Sequence, residues 1–542
     1  MSAAGSVYVL EPPLPIARDA AGTAFSAERA AAHVRTIAAA PRPVGSPEHG
    51  QVERYIVGEL QSMGLAPQVQ IAGGDGTASS RLSDRQARNI AARIGSRIGA
   101  RAVLLCAHYD SVRGSPGAGD NAAAVSSLLE TARLITSGPP LRNDVIVLFT
   151  DAEEVDGSGA RAFVDENPWA KDVDVVLNFD ARGNSGPVLM FETSPGNGAL
   201  IAALRKAVRR PLASSLFPEA YRLMPSTTDF SVFRARGFHG LNFANIGGVR
   251  SYHSMADRPA SLDARTLQHV GSCALELTRY LGNVALPLEH DGDAAYFNVV
   301  GPWLVTYPVR WTVPIVALAI AVYLMALFAK LDGAAGAWAR VGIGALAFPL
   351  NATLAIGVGR LGTMAWMESG RTLGTADLFM CGLVAATLAL GFSVDAWVFG
   401  RVSTVSVALG NLLWCAVASA LLASYAPGAA YLTWVPLLLG VVTVAASVTA
   451  RPRSPIVITT LSLTGGLTLA IVTPVLWLIY TGLMLPAAAP VLLLMALLVG
   501  TLVPQLRTIA GARRSILPIV TIGASVLLVT AAFLTTDARV TP

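Results

Sequence analysis

A run of long apolar segments fills the second part of this chain. Residues 301–542 contain 12 basic and 5 acidic residues and consist mostly of Leu, Val, Ala and Gly, whereas residues 1–300 contain 28 basic and 30 acidic residues. A water-soluble domain cannot cover so much apolar sequence, and about 20 consecutive apolar residues are enough to cross a bilayer. The second part is therefore predicted to be an all-α polytopic membrane domain, with the lipid bilayer as its partner.

Eight apolar segments of membrane-crossing length follow residue 310. We place them at 311–329, 341–359, 378–394, 402–425, 429–450, 456–480, 486–506 and 515–535. Asn351 and Asn411 are the clearest polar side chains inside them, while three acids fall at or beyond their ends: Glu368, Asp377 and Asp395. Because an ion or proton path needs ionisable groups within the spans, anchoring or assembly is the simpler predicted role.

The basic residues between these segments predict an orientation. Eight lie on one side and four on the other: Lys330, Arg340, Arg401, Arg451, Arg453, Arg507, Arg513 and Arg514 against Arg310, Arg360, Arg371 and Arg539. Positive loops favour the cytoplasmic side, so residues 1–310 are predicted to lie on the non-cytoplasmic side. The net charge of +5 follows from these loops, and no nucleic-acid partner is predicted.

The start of the chain does not contain a segment that would export such a domain. The first 30 residues include no apolar stretch as long as the core of a signal peptide. We therefore expect that an upstream targeting helix is missing from this sequence, or that its start is misassigned.

Cysteine usage narrows the chemistry of a metal site. The four cysteines are too few and too scattered for a disulfide framework: Cys106, Cys273, Cys381 and Cys415. No two of them have the Cys-x-x-Cys spacing. A metal site in this chain is predicted to use histidines and carboxylates.

Strand-like and helix-like segments alternate before the apolar part. Runs of strand length occur at AVLLCA, DVIVLFT, DVVLNF, PVLMF and GLNFA, with helical patterns between them. This order predicts an α/β domain with a mixed, largely parallel sheet. We divide the chain into an N-terminal segment at 1–25, this α/β domain at 26–285, a linker at 286–310 and the transmembrane domain at 311–536.

Acids and histidines follow these runs directly, where sites form in open α/β sheets. The candidate residues are His108, Asp110, Asp120, Glu153, Glu154, Asp180 and His253. Two histidines with three carboxylates offer nitrogen and oxygen ligands that suit Zn²⁺. Two ions fit better than one, since a shared carboxylate can bridge a metal pair that activates water and polarises a carbonyl.

The adjacent glutamates cannot both have the same role. Consecutive side chains diverge where a strand enters a turn, so one of Glu153 and Glu154 can bind metal while the other acts as general base. Asp110, two residues after His108, is predicted to orient that imidazole.

Three further residues have two readings each. Asp229 in STTDF is predicted equally as a helix cap or as a site residue. Arg182 and Tyr252 are predicted equally as substrate contacts or as surface and packing residues.

The motifs HYDS, GAGDNAAAV, DAEEVDGSGARAF, NFDARG, STTDFSVF and YHSMADRP resemble those of the di-zinc aminopeptidases of peptidase family M28, over roughly residues 26–282. The resemblance implies two Zn²⁺ ions, one held by His108, Asp120 and Asp180. It implies that Asp120 bridges to the second ion, which Glu154 and His253 complete. It also implies that Glu153 is the catalytic base and that Asp110 supports His108.

The segment AAYFNVVGPWLVTYP, followed by eight spans, is similar to the membrane-bound branch of that family, the endoplasmic-reticulum metallopeptidases and fungal vacuolar membrane proteases. In that branch a first span precedes the peptidase domain, which agrees with the expected missing helix. The resemblance implies a membrane-anchored zinc aminopeptidase that hydrolyses N-terminal residues of peptides with a metal-bound hydroxide. The alternatives are a catalytically silent receptor or assembly protein and a single-zinc enzyme similar to glutaminyl cyclases.

Overall fold

The computed structural model describes residues 2–72, 86–95, 101–224, 226–289, 292–331, 336–370, 373–449, 454–511 and 516–534. The chain forms two compact units, one made of Leu10–Val309 and the other of Met1–Val9 with Arg310–Pro542. We call them the sheet unit and the helical unit. The sheet unit contains all the candidate site residues.

Among the described residues, seven strands pair into one sheet at the centre of the sheet unit. They are β1 (Gln68–Ile71), β2 (Arg88–Ile94), β3 (Ala102–His108), β4 (Asp144–Thr150), β5 (Val173–Ala181), β6 (Ser185–Thr193) and β7 (His239–Gly247). Their order across the sheet is β1-β2-β4-β3-β5-β7-β6. The four strands β4, β3, β5 and β7 run parallel, while β1, β2 and β6 pair antiparallel. The predicted α/β fold with a mixed, largely parallel sheet is confirmed.

The central strands are covered on both faces. All seven residues of β3 and of β4 are buried, as expected for parallel strands between two layers of helices. Val103 and Leu105 of β3 join one apolar core, and Leu104 and Cys106 join the core on the opposite face. Each large apolar side chain buried in this way contributes roughly 1.5–3 kcal/mol, so the strand ends are held on a rigid framework.

Helices pack on both faces of this sheet. Besides α1 (Ala3–Tyr8), which belongs to the helical unit, the helices before residue 300 are α2 (Ala27–Ile37), α3 (Pro47–Ser62), α4 (Ala123–Thr136), α5 (Ser158–Glu166), α6 (Gly198–Ala207), α7 (Leu216–Tyr221), α8 (Asp229–Ala235) and α9 (Ala264–Leu281). The Ser26 hydroxyl caps α2 by accepting from the Arg29 amide, and Pro47 starts α3 after the cap Ser46. α4 is buried along nearly its whole length, which places the turn before it in the interior.

The parallel register brings the carboxyl ends of the central strands to one edge. His108, the last residue of β3, pairs with Thr150, the last residue of β4. Asp180 lies near the end of β5, the other neighbour of β3. The turns that leave these strands therefore meet at the same edge of the sheet.

A hairpin occupies part of the predicted linker at 286–310. β8 (Ala294–Asn298) pairs antiparallel with β9 (Leu304–Pro308). Tyr296 of β8 is fully buried, and its carbonyl oxygen accepts from the Ser215 amide at 2.8 Å. These residues pack as part of the sheet unit.

The helical unit consists of long apolar helices: α10 (Thr312–Leu331), α11 (Ala337–Ala345), α12 (Ala347–Glu368), α13 (Ala376–Ser393), α14 (Thr404–Tyr425), α15 (Tyr431–Thr449), α16 (Pro455–Leu483), α17 (Ala488–Thr501), α18 (Val503–Ala510) and α19 (Ile516–Leu534). Among the described residues, seven helices are long and apolar enough to cross a membrane. The span predicted at 486–506 is instead a pair of helices, α17 and α18, with a bend of 69° between them. Several loop residues used for the orientation lie outside the described residues: Arg371, Arg451, Arg453, Arg513, Arg514 and Arg539.

The prediction that Arg507 lies in a loop is wrong. It lies in α18 with 4% of its surface exposed. Its guanidinium donates to Asp395 Oδ1 at 2.6 Å and to the backbone oxygens of Phe399 and Val402 at 3.1 and 2.9 Å. An ion pair between the buried Arg507 and the partly exposed Asp395 therefore ties α18 to the residues that follow α13. The sequence predicts almost no ionisable groups within the spans.

We expect Asp395→Asn to destabilise the helical unit by about 3 kcal/mol, because it leaves the Arg507 guanidinium buried without a counter-charge. Unfolding of the full chain in detergent, followed by circular dichroism, measures the loss. The double variant Asp395→Asn/Arg507→Met removes both charges and is expected to recover most of it. Equal losses in the single and double variants would show that the ion pair is not the cause.

Candidate metal centre

The seven candidate residues converge at the carboxyl edge of the parallel strands. Five segments contribute them: β3 and the turn after it give His108 and Asp110, the irregular turn 118–122 gives Asp120, the turn after β4 gives Glu153 and Glu154, β5 gives Asp180, and the turn after β7 gives His253. Residues up to 145 positions apart in the chain thus share one site, on strands and turns held by the buried sheet.

Five of these side chains form two sets of three potential metal ligands. Nε2 of His108 lies 3.2 Å from Asp120 Oδ1 and 3.4 Å from Asp180 Oδ1. Nε2 of His253 lies 3.2 Å from Asp120 Oδ2 and 3.1 Å from Glu154 Oε2. In each set the three ligand atoms lie within 4.8 Å of one another. Asp120 belongs to both sets through different oxygen atoms, which is the geometry of a bridging carboxylate.

The residues fit zinc by two independent features. Two ligand atoms each about 2.0–2.1 Å from a tetrahedral Zn²⁺ are separated by roughly 3.3 Å, which agrees with the observed spacings. Among the described residues, Nε2 of His108 and Oε1 of Glu154 are buried without a hydrogen-bond partner. Buried polar atoms are normally satisfied, so these atoms point to a missing cation.

The pKa shifts within the cluster also indicate that these residues bind a cation. Burial and the nearby Asp120 raise the pKa of Glu154 to about 7. Burial acts to lower the pKa of His253, but Asp120 and Glu154 outweigh it and raise that pKa to about 10. Without a cation, protons on the imidazoles have to balance the carboxylates. A metal ion replaces those protons, because histidine binds metal in its neutral form.

Glu153 belongs to neither set of ligands. Burial raises its pKa well above the ordinary range, although His108 acts in the opposite direction. A carboxylate of raised pKa beside the two sets is suited to accept a proton and return it. Of the two adjacent glutamates, Glu154 belongs to a ligand set and Glu153 does not.

A buried pair holds the turn that presents these glutamates. Ala152 has a φ of 60°, a strained value for a residue with a Cβ. Its amide donates to Asp151 Oδ1 at 2.8 Å, and the same oxygen lies 2.9 Å from His49 Nε2. The role of His49 is not predictable from the sequence, because its partner Asp151 lies 102 residues further along the chain.

Asp110 contacts three parts of the site at once. Its Oδ1 lies 3.4 Å from Nδ1 of His108. Its two oxygens accept from the backbone amides of Glu153 and Glu154 at 3.3 and 3.2 Å. Asp110 thus contacts both His108 and the turn that carries the two glutamates, and we expect it to act as a positioning residue.

We expect Asp110→Asn to lower zinc affinity and turnover by about 10- to 100-fold, the usual effect of removing a group that orients a metal ligand. Zinc titration of the metal-free full chain and turnover at saturating zinc measure the two effects. Asp19→Asn, a change at an exposed acid, serves as the control. Unchanged affinity and turnover in Asp110→Asn would contradict this role.

Two further residues hold the turn that presents Asp120. Asp257 accepts from the amides of Gly119 and Asp120 at 2.7 and 3.0 Å. Arg42 is fully buried and donates to the backbone oxygens of three residues in the preceding loop: Tyr109, Pro116 and Gly117. Burial lowers the pKa of Arg42 to about 10, although Asp110 and Asp120 favour its charged form.

Neither residue was singled out from the sequence. Asp257 lies within the motif YHSMADRP, and its spacing from His253 was a usable signal. Arg42 lies in PRPVGSPEHG, where a basic residue in a loop gives no sign of burial.

Asp229, Tyr252 and Arg182, for which the sequence leaves two interpretations each, have different surroundings in the structure. Asp229 is the first residue of α8 and follows its cap Thr228, so the reading as a cap is wrong. Its Oδ2 accepts from the Thr150 hydroxyl, and burial raises its pKa to about 7. Tyr252 stacks on His253 with ring centroids 3.8 Å apart, and Arg182 Cζ lies 5.6 Å from the centroid of Tyr252.

Comparison with known proteins finds similarity to one family of peptidases. Residues 89–278 match the model of Peptidase family M28. Human endoplasmic reticulum metallopeptidase 1 is 33% identical over 231 residues, 41% of this chain and 26% of the human protein. The vacuolar membrane protease of Eremothecium gossypii is 31% identical over 251 residues, 45% of this chain and 24% of that protein. The chain thus spans about a quarter of the length of these curated relatives.

Solved structures match about half of this chain. A zinc aminopeptidase from Bacillus subtilis matches with 16% identity and a TM-score of 0.39, over 49% of this chain and 98% of that chain. Bacterial glutaminyl cyclases match with TM-scores of 0.38.

Proposed function

We propose, on the premise that residues 89–278 are a peptidase family M28 domain, that this chain is a membrane-anchored zinc metallopeptidase and that its activity is that of an aminopeptidase. The observation that carries the proposal is the pair of ligand sets that share Asp120, with Glu153 beside them. The predicted resemblance to this family and to its membrane-bound relatives is confirmed by the comparisons. The activity of the whole chain is the proposal.

The ligand sets support two Zn²⁺ ions rather than one. Each set has a histidine and two carboxylates, and each leaves room for a further ligand. Asp120 supplies one oxygen to each set, so neither set has to give up a ligand when both are occupied. Two bound zinc ions supply Lewis acidity that activates water and polarises the scissile carbonyl.

The side chains of this protein have the remaining roles in the reaction. Glu153 accepts a proton from the attacking water at its carboxylate and returns it to the nitrogen of the leaving amine. Asp110 holds the backbone of that turn in place. The His108 side chain is 2% exposed and the His253 side chain is 38% exposed, so substrate approaches from the side of His253.

The apolar helices and the basic loop residues support a location for this protein in the membrane. The long apolar helices support insertion in a bilayer, and the human and E. gossypii relatives are named for the endoplasmic reticulum and the vacuolar membrane. The excess of basic loop residues on one side supports a sheet unit on the non-cytoplasmic side, with peptides there as substrates.

The test uses the full chain purified in detergent and loaded with zinc. Three substrates separate the functions: leucine p-nitroanilide, its N-acetylated form and a peptide that begins with glutamine. An aminopeptidase releases nitroaniline from the free amine alone, and a chelator abolishes the release. Loss of ammonia from the glutamine peptide without hydrolysis would indicate a cyclase instead. A folded, zinc-loaded chain that acts on none of the three would indicate a silent protein.

A further inference from the structure

The open side of the candidate metal centre has a cationic side chain at its edge. His253, the most exposed of the five proposed ligands, stacks on Tyr252, and the Arg182 guanidinium lies 5.6 Å from the centroid of the same Tyr252 ring. These distances keep the guanidinium within ~10 Å of the His253 ring, the span of about three extended residues. A substrate bound at the metals therefore passes close to Arg182.

The backbone around Arg182 is fixed by close packing. The Arg182 amide donates to Asn245 O at 2.9 Å, within the pairing of β5 with β7. A Cβ at Gly183 would collide with the carbonyl oxygen of Gly247, so only glycine permits this approach. The segment that carries Arg182 thus lies directly against the turn that leads to Tyr252. Arg182 and Tyr252 are held in place relative to each other before substrate binds.

The charges at the site leave a clear role for this arginine. The interior of the centre is acidic, with Asp110, Asp120, Glu153, Glu154 and Asp180 within it, and zinc ions are needed to balance these carboxylates. Arg182 lies outside the ligand sets, is partly exposed and lies over the ring of Tyr252, which stacks on His253. A guanidinium presents several N–H donors in one plane and binds carboxylates with two parallel hydrogen bonds.

We propose that Arg182 is a specificity-determining residue, which binds a carboxylate carried by the substrate residue next to the scissile bond on the leaving side. The proposal rests on the proposed peptidase function and names its substrate class, short peptides with an anionic group close to the bond that is cut. The carboxylate has two sources, the C-terminal carboxylate of a dipeptide or an acidic side chain at that position.

Three peptides test the proposal with the zinc-loaded full chain in detergent: Leu-Gly, Leu-Gly-amide and Leu-Asp-amide. We expect the chain to cleave at least one of the two carboxylate peptides with a kcat/KM about 10- to 100-fold above that for Leu-Gly-amide, the range of a hydrogen bond to a charged group. Arg182→Met is expected to remove this preference, so that the three peptides are cleaved with similar kcat/KM. Whichever carboxylate peptide is preferred identifies the source of the anion.

Two controls separate this role from a structural one. Arg209→Met removes a cation whose side chain is 80% exposed and is expected to keep the preference. Arg182→Lys keeps the charge without the planar group and is expected to keep part of it. Equal cleavage of all three peptides by the unmodified chain, or an equal loss on all three in Arg182→Met, would overturn the proposal. A chain that cleaves none of them overturns the peptidase function itself.

Discussion

Glu153→Gln is expected to lower kcat by about 10²- to 10⁴-fold while the chain keeps its full zinc content, because the amide cannot accept the proton of the attacking water. The residue is the right one to change, since Glu153 lies beside the two ligand sets but belongs to neither. Burial raises the pKa of its carboxyl, which increases its affinity for the transferred proton. The measurement pairs turnover of leucine p-nitroanilide with zinc determination on the same preparation.

The matched control is Glu166→Gln, the same chemical change at an exposed acid at the end of α5. It is expected to keep both turnover and zinc. Loss of zinc in Glu153→Gln would make Glu153 a ligand rather than a base. Retained turnover would remove it from the mechanism.

Asp120→Ala is expected to abolish activity and to reduce bound zinc below that of any change to a single set. Its two oxygens lie 3.2 Å from the Nε2 atoms of His108 and His253, so one substitution removes a ligand from both sets. The interactions with these histidines outweigh the effect of burial and hold the pKa of Asp120 below its ordinary range, so the carboxylate is ionised and available to metal. Zinc content after dialysis at a fixed free-zinc concentration measures the effect.

His253→Ala provides the comparison, because it removes a ligand from one set and leaves the other complete. We expect it to lose one zinc and Asp120→Ala to lose both. Asp165→Ala, at an exposed acid, is expected to change neither zinc content nor activity. Equal zinc content in Asp120→Ala and His253→Ala would contradict a bridging role. Circular dichroism of each variant checks that the fold is retained.

The sheet was predictable where burial leaves a local pattern. The parallel strands β3, β4, β5 and β7 are largely buried, so each contains a short, mostly apolar run in the sequence. β1 and β2 were missed because QVQI is largely exposed and RNIAARI carries arginines. An antiparallel pair at one side of a sheet has no need of an apolar run.

The candidate ligands were predictable because each directly follows a strand or lies in a short motif. The residues that hold them in place were not. Asp257 contacts the Asp120 amide across 137 residues, and Asp151 contacts His49 across 102 residues. Such contacts form only once the strands have paired, so the sequence does not show which residues are in contact.

The helical unit shows the same limit. Hydropathy identifies apolar segments, but it averages over a window and does not register the 69° bend between α17 and α18. It also treats Arg507 as a loop charge, because the partner that allows its burial, Asp395, lies 112 residues earlier in the chain. The burial of an arginine depends on a partner of opposite charge, and a sequence in which the partner is distant predicts an exposed arginine.

The central claim is that the two ligand sets hold two zinc ions that the chain needs for peptide hydrolysis. The most direct test measures zinc per chain in the purified full-length protein, while a chelator is titrated and leucine p-nitroanilide turnover is followed. We expect two zinc ions per folded chain, loss of turnover as they are removed, and recovery of turnover when zinc is added back. A folded chain that binds no zinc, or turnover that continues after all zinc is removed, would contradict this claim.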